Sequence, residues 1–128
     1  MRPSNCRYSK THEWARPEGD LVVTGITDFA VEELSDLVYI ELPDVGSRVT
    51  KGERYGEIES VKAVSEVYAP VSGLVAEANE EATANLDLIS QSPYEEGWII
   101  KIAPDDPAQL DDLLSLEEYE DQLESEEH

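Results

Sequence analysis

Apolar positions along this chain come in short runs separated by turn formers, a pattern that favours β structure over most of the length. "DLVVTGIT" (20–27) reads as a strand. In "TDFAVEELSDL" the period lengthens: Phe29, Leu34 and Leu37 fall near helical spacing, with Thr27 or Asp28 placed to cap a helix of about two turns. "LVYIEL" (37–42) is a second strand, stopped by Pro43, Asp44 and Gly46. "RYGEIESV" and "SEVYAPV" are two extended arms on either side of Lys62. "GLVAEANE" follows as a strand, then a polar stretch with room for a short turn of helix, and "GWIIKIAP" (97–104) is the last strand.

The period changes again after Pro104. Leu110, Leu113, Leu114, Leu116, Tyr119 and Leu123 recur near i, i+3, i+4 intervals, which predicts helix. Ser115 with Glu118 has the spacing of a capping box that would open a second helical segment. The last residues, "ESEEH", are expected to fray. One domain over 1–128 is expected, with a core at about 7–104 and an acidic helical extension at about 105–128. "GSRVTKGE" (46–53) and "SGLVAEANE" (72–80) echo each other on opposite sides of Lys62. Two such halves could pair into a flattened β-sandwich with the lysine hairpin at one end.

Charge narrows the partners. Thirty acidic residues against nine basic ones leave a net of −21, and residues 105–128 hold eleven carboxylates and no lysine or arginine. Such a surface repels nucleic acid and anionic membrane, so neither is an expected partner. Cys6 is alone, which excludes an internal disulfide and fits a reducing compartment. The first residues hold no apolar run of signal-peptide type and no segment approaches a bilayer span, so a cytoplasmic, soluble protein is expected. His12 and His128 are the only histidines, too few with one cysteine to suggest a structural zinc site.

Lys62 is one of only four lysines, and the one between two strand-like arms. A hairpin tip gives a modifying enzyme access to the ε-amine, and the flanking strands fix where a tether would begin. A Schiff-base lysine needs instead a desolvated pocket that depresses its pKa, and Ser60, Val61 and Ala63 supply none. The position reads as an attachment point, with a reactive-lysine enzyme as the rival.

In order and spacing, "YSKTHEWA" (8–15), "GITDFAVEELSDLVYIELPDVGSRVTKGE" (25–53), "GEIESVKAVSEVYAPVSG" (56–73), "SPYEEGWIIKIAP" (92–104) and "LEEYE" (116–120) resemble the H proteins of the glycine cleavage system. Gly46 lies sixteen residues before Lys62 and Gly73 eleven after it, the frame of lipoyl and biotinyl domains generally. Val61 and Ala63 stand where biotin carriers usually have methionines. The resemblance implies a mainly β barrel-sandwich hybrid of two small antiparallel sheets, with lipoate amide-linked to Lys62 and no catalysis by the carrier itself. It implies four partners: a pyridoxal-phosphate glycine decarboxylase, an aminomethyltransferase using tetrahydrofolate, the flavoprotein (FAD) dihydrolipoyl dehydrogenase, and a lipoyl-attaching enzyme. It also implies that the loaded arm folds back on a cleft near "HEW", with Thr11 and Glu13 as contacts and Glu66 as a second carboxylate. Against that stands an edge strand whose Trp14 merely packs on the core. Glu59 is a candidate for ligase or partner recognition. The chain departs from many members at Glu95, where a glycine is usual, and at Leu86, where a proline is usual. A lipoyl or biotin carrier of another complex, or a lipoyl-relay protein, is the alternative within the same chemistry.

The excess of acid suggests a salt-rich cytoplasm, as in halophilic microbes, against the rival of an acidic docking face for basic partners. Screening of neighbouring carboxylates tightens as the Debye length falls from about 30 Å at 0.01 M to about 3 Å at 1 M. The expected outcome is a thermal midpoint that climbs steeply with KCl across that range and beyond. A flat or falling series rejects the salt-adapted origin.

Overall fold

The computed structural model describes residues 2–126; His128, with Met1 and Glu127, lies outside them. Nine strands form two antiparallel sheets. In chain order these are β1 (Arg7–Tyr8), β2 (Glu13–Glu18), β3 (Leu21–Ile26), β4 (Leu37–Glu41), β5 (Arg48–Val49), β6 (Arg54–Ser60), β7 (Val64–Tyr68), β8 (Gly73–Ala78) and β9 (Ile100–Pro104). The larger sheet runs β1-β2-β3-β9-β8-β5 and the smaller β4-β6-β7. Helix α1 (Asp28–Leu34) joins β3 to β4, and α2 (Glu80–Ala84) and α3 (Asp87–Gln91) fill the polar stretch where one turn was expected. A 3-10 helix (Pro107–Asp112) precedes α4 (Leu116–Glu126). This is the expected mainly β architecture of two antiparallel sheets with a C-terminal helix. No described helix is long and apolar enough to cross a membrane.

Alternation along each strand sends one set of side chains between the sheets. Val22, Ile58, Val75, Ile100 and Ile102 meet there, each no more than 2% exposed. A second cluster forms with α4, where Tyr8, Trp14, Val23, Tyr119 and Leu123 are buried together. The acidic extension is therefore packed through its apolar positions, Leu113 in the first cluster and Tyr119 and Leu123 in the second, with its carboxylates outward. Leu114 exchanges backbone hydrogen bonds with Tyr8 (2.9 and 2.7 Å), which covers the free edge of β1.

Local signals hold well. Thr27 caps α1 by accepting from the N–H of Ala30 at 3.3 Å. Ser115 and Glu118 form the reciprocal capping box, at 2.9 and 3.2 Å. Several boundaries differ. Leu37 belongs to β4, not the helix, because α1 closes on the N–H of Ser35 bonding the Val31 carbonyl. The last strand begins at Ile100: Gly97 is wedged against the Leu88 carbonyl, 2.5 Å from where a Cβ would sit, and the chain turns there before it pairs. Residues 107–112 are 3-10 and not α, and the C-terminal residues expected to fray stay helical as far as Glu126. Leu86 sits at φ −64 and ψ −19, the φ a proline ring imposes, and the preceding Asn85, at φ −141 and ψ 88, is outside the helical region that a following proline disfavours. Glu95 does not take a positive φ, so no left-handed turn is required at that departure.

The echoed segments pair with each other. β5 lies antiparallel to β8 with Arg48 opposite Leu74 and Val49 opposite Gly73. Gly46 turns the chain into this pair at φ 92, and its N–H bonds the Val75 carbonyl at 2.8 Å. At Gly73 the limit is space: a Cβ would run into the carbonyl oxygen of Ala103 on β9. Gly73→Ala is expected to cost about 1–3 kcal/mol by forcing β8 from β9, measured as a lowered denaturation midpoint. A wild-type midpoint would reject this close approach.

Candidate functional site

The β6–β7 hairpin has a three-residue loop, 61–63, with Lys62 at its centre and fully displayed. Such tight loops commonly rely on residues with positive φ, yet none occurs here. Ser60 takes over that task. It is 8% exposed, and its hydroxyl accepts from the N–H groups of Lys62 (3.3 Å) and Ala63 (3.0 Å) while reaching the Ala63 carbonyl at 3.2 Å. The Ser60 N–H closes the loop on the same carbonyl at 2.8 Å, and the Val61 N–H bonds Asp36 of the segment before β4 at 3.0 Å. Every amide around the lysine is thus fixed by the hairpin or its neighbour, while the side chain is free. Lys51 pairs with Asp112 (3.0 Å), and Lys101 pairs with Glu77 (3.8 Å) and lies over the Trp98 ring (4.9 Å). Lys62 makes no ion pair among the described residues.

Register decides what surrounds it. Tyr39, Glu59 and Val64 are cross-strand neighbours on the outer face of the small sheet, and Glu41, Glu57 and Glu66 form the next row. Val38, Tyr39, Val61 and Val64 are each more than half exposed, and they are four of the six large apolar side chains exposed on the described surface. The lysine therefore rises from an apolar collar beside a row of carboxylates. Glu59 stands within the collar. Among the described residues only Arg54 offsets the row, at 3.8 Å from Glu41 and 3.1 Å from Glu57.

Thr11 and Glu13 are brought together, but not as an open surface pair. Glu13 opens β2 and is 2% exposed. Its carboxylate accepts from the Ser9 hydroxyl (2.6 Å), from the Thr11 hydroxyl, and from the N–H of Tyr68 at the end of β7 (3.3 Å). Thr11 carries the network to the exposed surface. Tyr68 extends it the other way, its hydroxyl donating to Glu66 at 2.8 Å. Ser9, Thr11 and Glu13 thus form one polar cluster, and Tyr68 touches both carboxylates, Glu13 through its backbone N–H and Glu66 through its phenol. Glu66 is four residues from Lys62, with the end of the turn between them, so the two lie at most about 13 Å apart along the chain. A cavity of about 320 Å³ lies against the same turn, between Ser9, Lys10, Lys51, Gly52 and Leu113. A larger hollow of about 410 Å³ beside α2 contains none of these residues.

The glycine cleavage H-protein family model matches residues 6–126. The chain belongs to this family. Among relatives, the glycine cleavage system H protein of Geobacillus sp. (strain WCH70) is 51% identical over 121 residues, spanning 94% of this chain and 95% of its own. That of Acinetobacter baumannii (strain ATCC 17978) is 53% identical over 118 residues, with 92% and 95% covered. The crystal structure of a glycine cleavage system H protein from Mycobacterium marinum superposes with a TM-score of 0.88 at 39% identity, covering 96% of this chain and 99% of that one.

Sequence reasoning passed over Ser9, Ser60 and Tyr68. A serine at the mouth of the hairpin, and serine, threonine and glutamate spaced by two in "SKTHE", were the available signals. Trp14 is wholly buried in the α4 cluster, its indole N–H bonding the Pro93 carbonyl at 3.0 Å, so the packing role of "HEW" is real alongside the polar chain.

Burial raises the pKa of Glu13 above the ordinary carboxylate range, against the lowering effect of the Ser9 and Thr11 hydroxyls and the Tyr68 amide. A carboxyl whose folded pKa is raised stabilises the fold at pH below its unfolded pKa, and that contribution is lost as pH rises through the folded value. Glu13→Gln removes this titration. The midpoint of the native chain relative to Glu13→Gln is therefore expected to fall as pH rises from acid to neutral. A constant difference would show that the hydroxyls balance burial, and one that grows with pH that they outweigh it.

Proposed function

We propose that this chain is the lipoyl carrier of a glycine cleavage system, with lipoate in amide linkage to Lys62. The observation that carries the reading is the placement of a free, unpaired lysine at the centre of a loop whose backbone N–H groups are all hydrogen-bonded. Family membership supplies the cofactor class, and the residues fit it: the ε-amine is open to an acylating enzyme, and no enclosing pocket surrounds it. When bound, the group supplies a disulfide that cycles to a dithiol and takes up cargo on sulfur.

The protein's own part is physical. A fixed root confines the arm's tip to a small volume, which gives it a high effective concentration at any enzyme the carrier touches. The apolar collar of Val38, Tyr39, Val61 and Val64 offers contact area next to the root, and Glu59 gives that contact a charge to orient it. Partners in this reading are glycine decarboxylase, aminomethyltransferase, dihydrolipoyl dehydrogenase and the lipoyl-attaching enzyme. Chemistry at their cofactors is theirs; the carrier need catalyse nothing. Between visits, Thr11, Glu13 and Glu66 hold the amine-bearing cargo, a cation that a carboxylate network attracts, and shield it from water. Glu13, already carrying three donors, keeps lone-pair capacity for one more.

The test is intact mass with peptide mapping of residues 55–70 after expression with the lipoylating enzymes. Lipoylation is expected on Lys62 alone, and Lys62→Arg is expected to abolish both the added mass and glycine-dependent turnover while leaving the fold unchanged. Acylation of Lys10, Lys51 or Lys101 in that variant, or a biotinyl mass on Lys62, would defeat the assignment.

A further inference from the structure

Tyr119, in the middle of "LEEYE", is fully buried and stacks on Tyr8 with ring centroids 4.8 Å apart. Its hydroxyl lies between two polar atoms, 2.7 Å from Oγ1 of Thr27 and 2.8 Å from Nδ1 of His12. The other nitrogen of His12, Nε2, is 3.4 Å from the carboxylate of Glu126. That neighbour fixes the direction of the chain. With the ring proton on Nε2 toward Glu126, Nδ1 is an acceptor, so Tyr119 donates to His12 and accepts from Thr27. Four groups from three parts of the fold are thereby joined: the cap of α1, two side chains of α4, and the turn that leads into β2.

That turn needs holding. His12 has φ 74, a conformation that a side chain other than glycine keeps only where its surroundings impose it. Within the turn the His12 N–H bonds the Ser9 carbonyl (3.2 Å), the Ser9 N–H bonds the Glu13 carbonyl (2.8 Å), and the His12 carbonyl accepts from Thr27 (3.0 Å). From outside, α4 grips it at three points: Tyr119 and Glu126 on the His12 ring, and Gln122, which donates to the Lys10 carbonyl at 3.0 Å. The same turn carries Ser9, Thr11 and Glu13.

We infer that Tyr119 is a positioning residue of the carrier: acting through His12, it holds the 9–13 turn so that the Thr11 hydroxyl and the Glu13 carboxylate are aligned for the arm's cargo. The C-terminal helix is then part of the arm-holding site. This rests on the cargo-holding role proposed for Thr11 and Glu13. The groups that face His12 are Tyr119 and Glu126 of α4 and Phe29 and Glu33 of α1; burial lowers its pKa while the two carboxylates raise it.

Tyr119→Phe removes one oxygen and keeps the stacked ring. Three readouts bear on the fold alone. Ring nitrogen NMR is expected to show His12 leaving the Nε2–H tautomer for a mixture. Amide exchange of residues 10–13 is expected to rise by up to about tenfold, as the loss of a buried hydrogen bond implies, with the amides of 57–60 unchanged. Lipoylation of Lys62 is expected to proceed at the native rate. The fourth readout is decay of the aminomethyl-loaded arm, expected to quicken several-fold in Tyr119→Phe and in Glu13→Ala, and no further in the double variant. An unchanged His12 tautomer with unchanged exchange overturns the positioning role. So does native decay in Tyr119→Phe when Glu13→Ala accelerates it. Native decay in Glu13→Ala overturns the cargo-holding reading itself and the alignment with it, leaving the first two readouts to decide whether Tyr119 orders the turn. Should Tyr119→Phe fail to fold, Gln122→Ala frees the same turn from the surface of α4 and must raise exchange at 10–13; native exchange there overturns the grip of α4.

Discussion

The buried carboxylate of Glu13 is the point on which this molecule turns. It belongs to the large sheet and accepts a hydrogen bond from Tyr68 at the end of β7 in the small one, so this side chain ties the two sheets at the end of the hairpin away from the lysine. Burying an ionisable group is costly unless its charge is matched by donors. Ser9, Thr11 and the Tyr68 amide provide them, and each of these must be held in place for the match to survive. Much of the surrounding structure serves that requirement, from the left-handed turn at His12 to the packing of α4 against Tyr8 and Trp14.

A carrier has two opposed needs, a root that does not move and an arm that does. The structure separates them within four residues. Hydrogen bonds to Ser60 and Asp36 hold every N–H of the loop, while the Lys62 side chain is committed to nothing. Rigidity is carried by the backbone, and mobility is left to a side chain whose many rotatable bonds gain nothing from the protein surface. The collar of exposed valines and Tyr39 is an ordinary liability for a free protein and an asset for one that must dock repeatedly.

The row of Glu41, Glu57 and Glu66 illustrates how charge is spent on this surface. Like charges directly opposite across strands weaken a sheet, and Arg54 reaches only two of the three. Elsewhere carboxylates cap helices, as Glu118 does at α4, or meet one of the few cations, as Asp112 does with Lys51. Acid residues thus do local structural tasks on the helices and are only partly compensated on the sheet face beside the lysine.

Period and turn chemistry by themselves located the strands read at 20–27, 37–42 and 54–61 to within a residue at each end, and the arm read at 65–71, which forms as 64–68. They also gave the cap at Thr27, the box at Ser115 and Glu118, and the place of Lys62 at a hairpin tip, because each depends on residues only a few positions apart. The family was likewise legible, since its motifs are contiguous. What the tertiary structure decided involves partners far apart in the chain. Glu13 reads in sequence as a surface carboxylate and is buried because β7 closes over it, 55 residues away. Tyr119 reads as one more apolar position in an amphipathic helix, and its hydroxyl finds partners 92 and 107 residues upstream. The strand expected from Gly97 starts three residues late because the backbone of α3 occupies the space beside that glycine. Periodicity reports which face of an element is apolar; it holds no information on which polar atom of another element will meet the exception on that face, and the site is made of such exceptions.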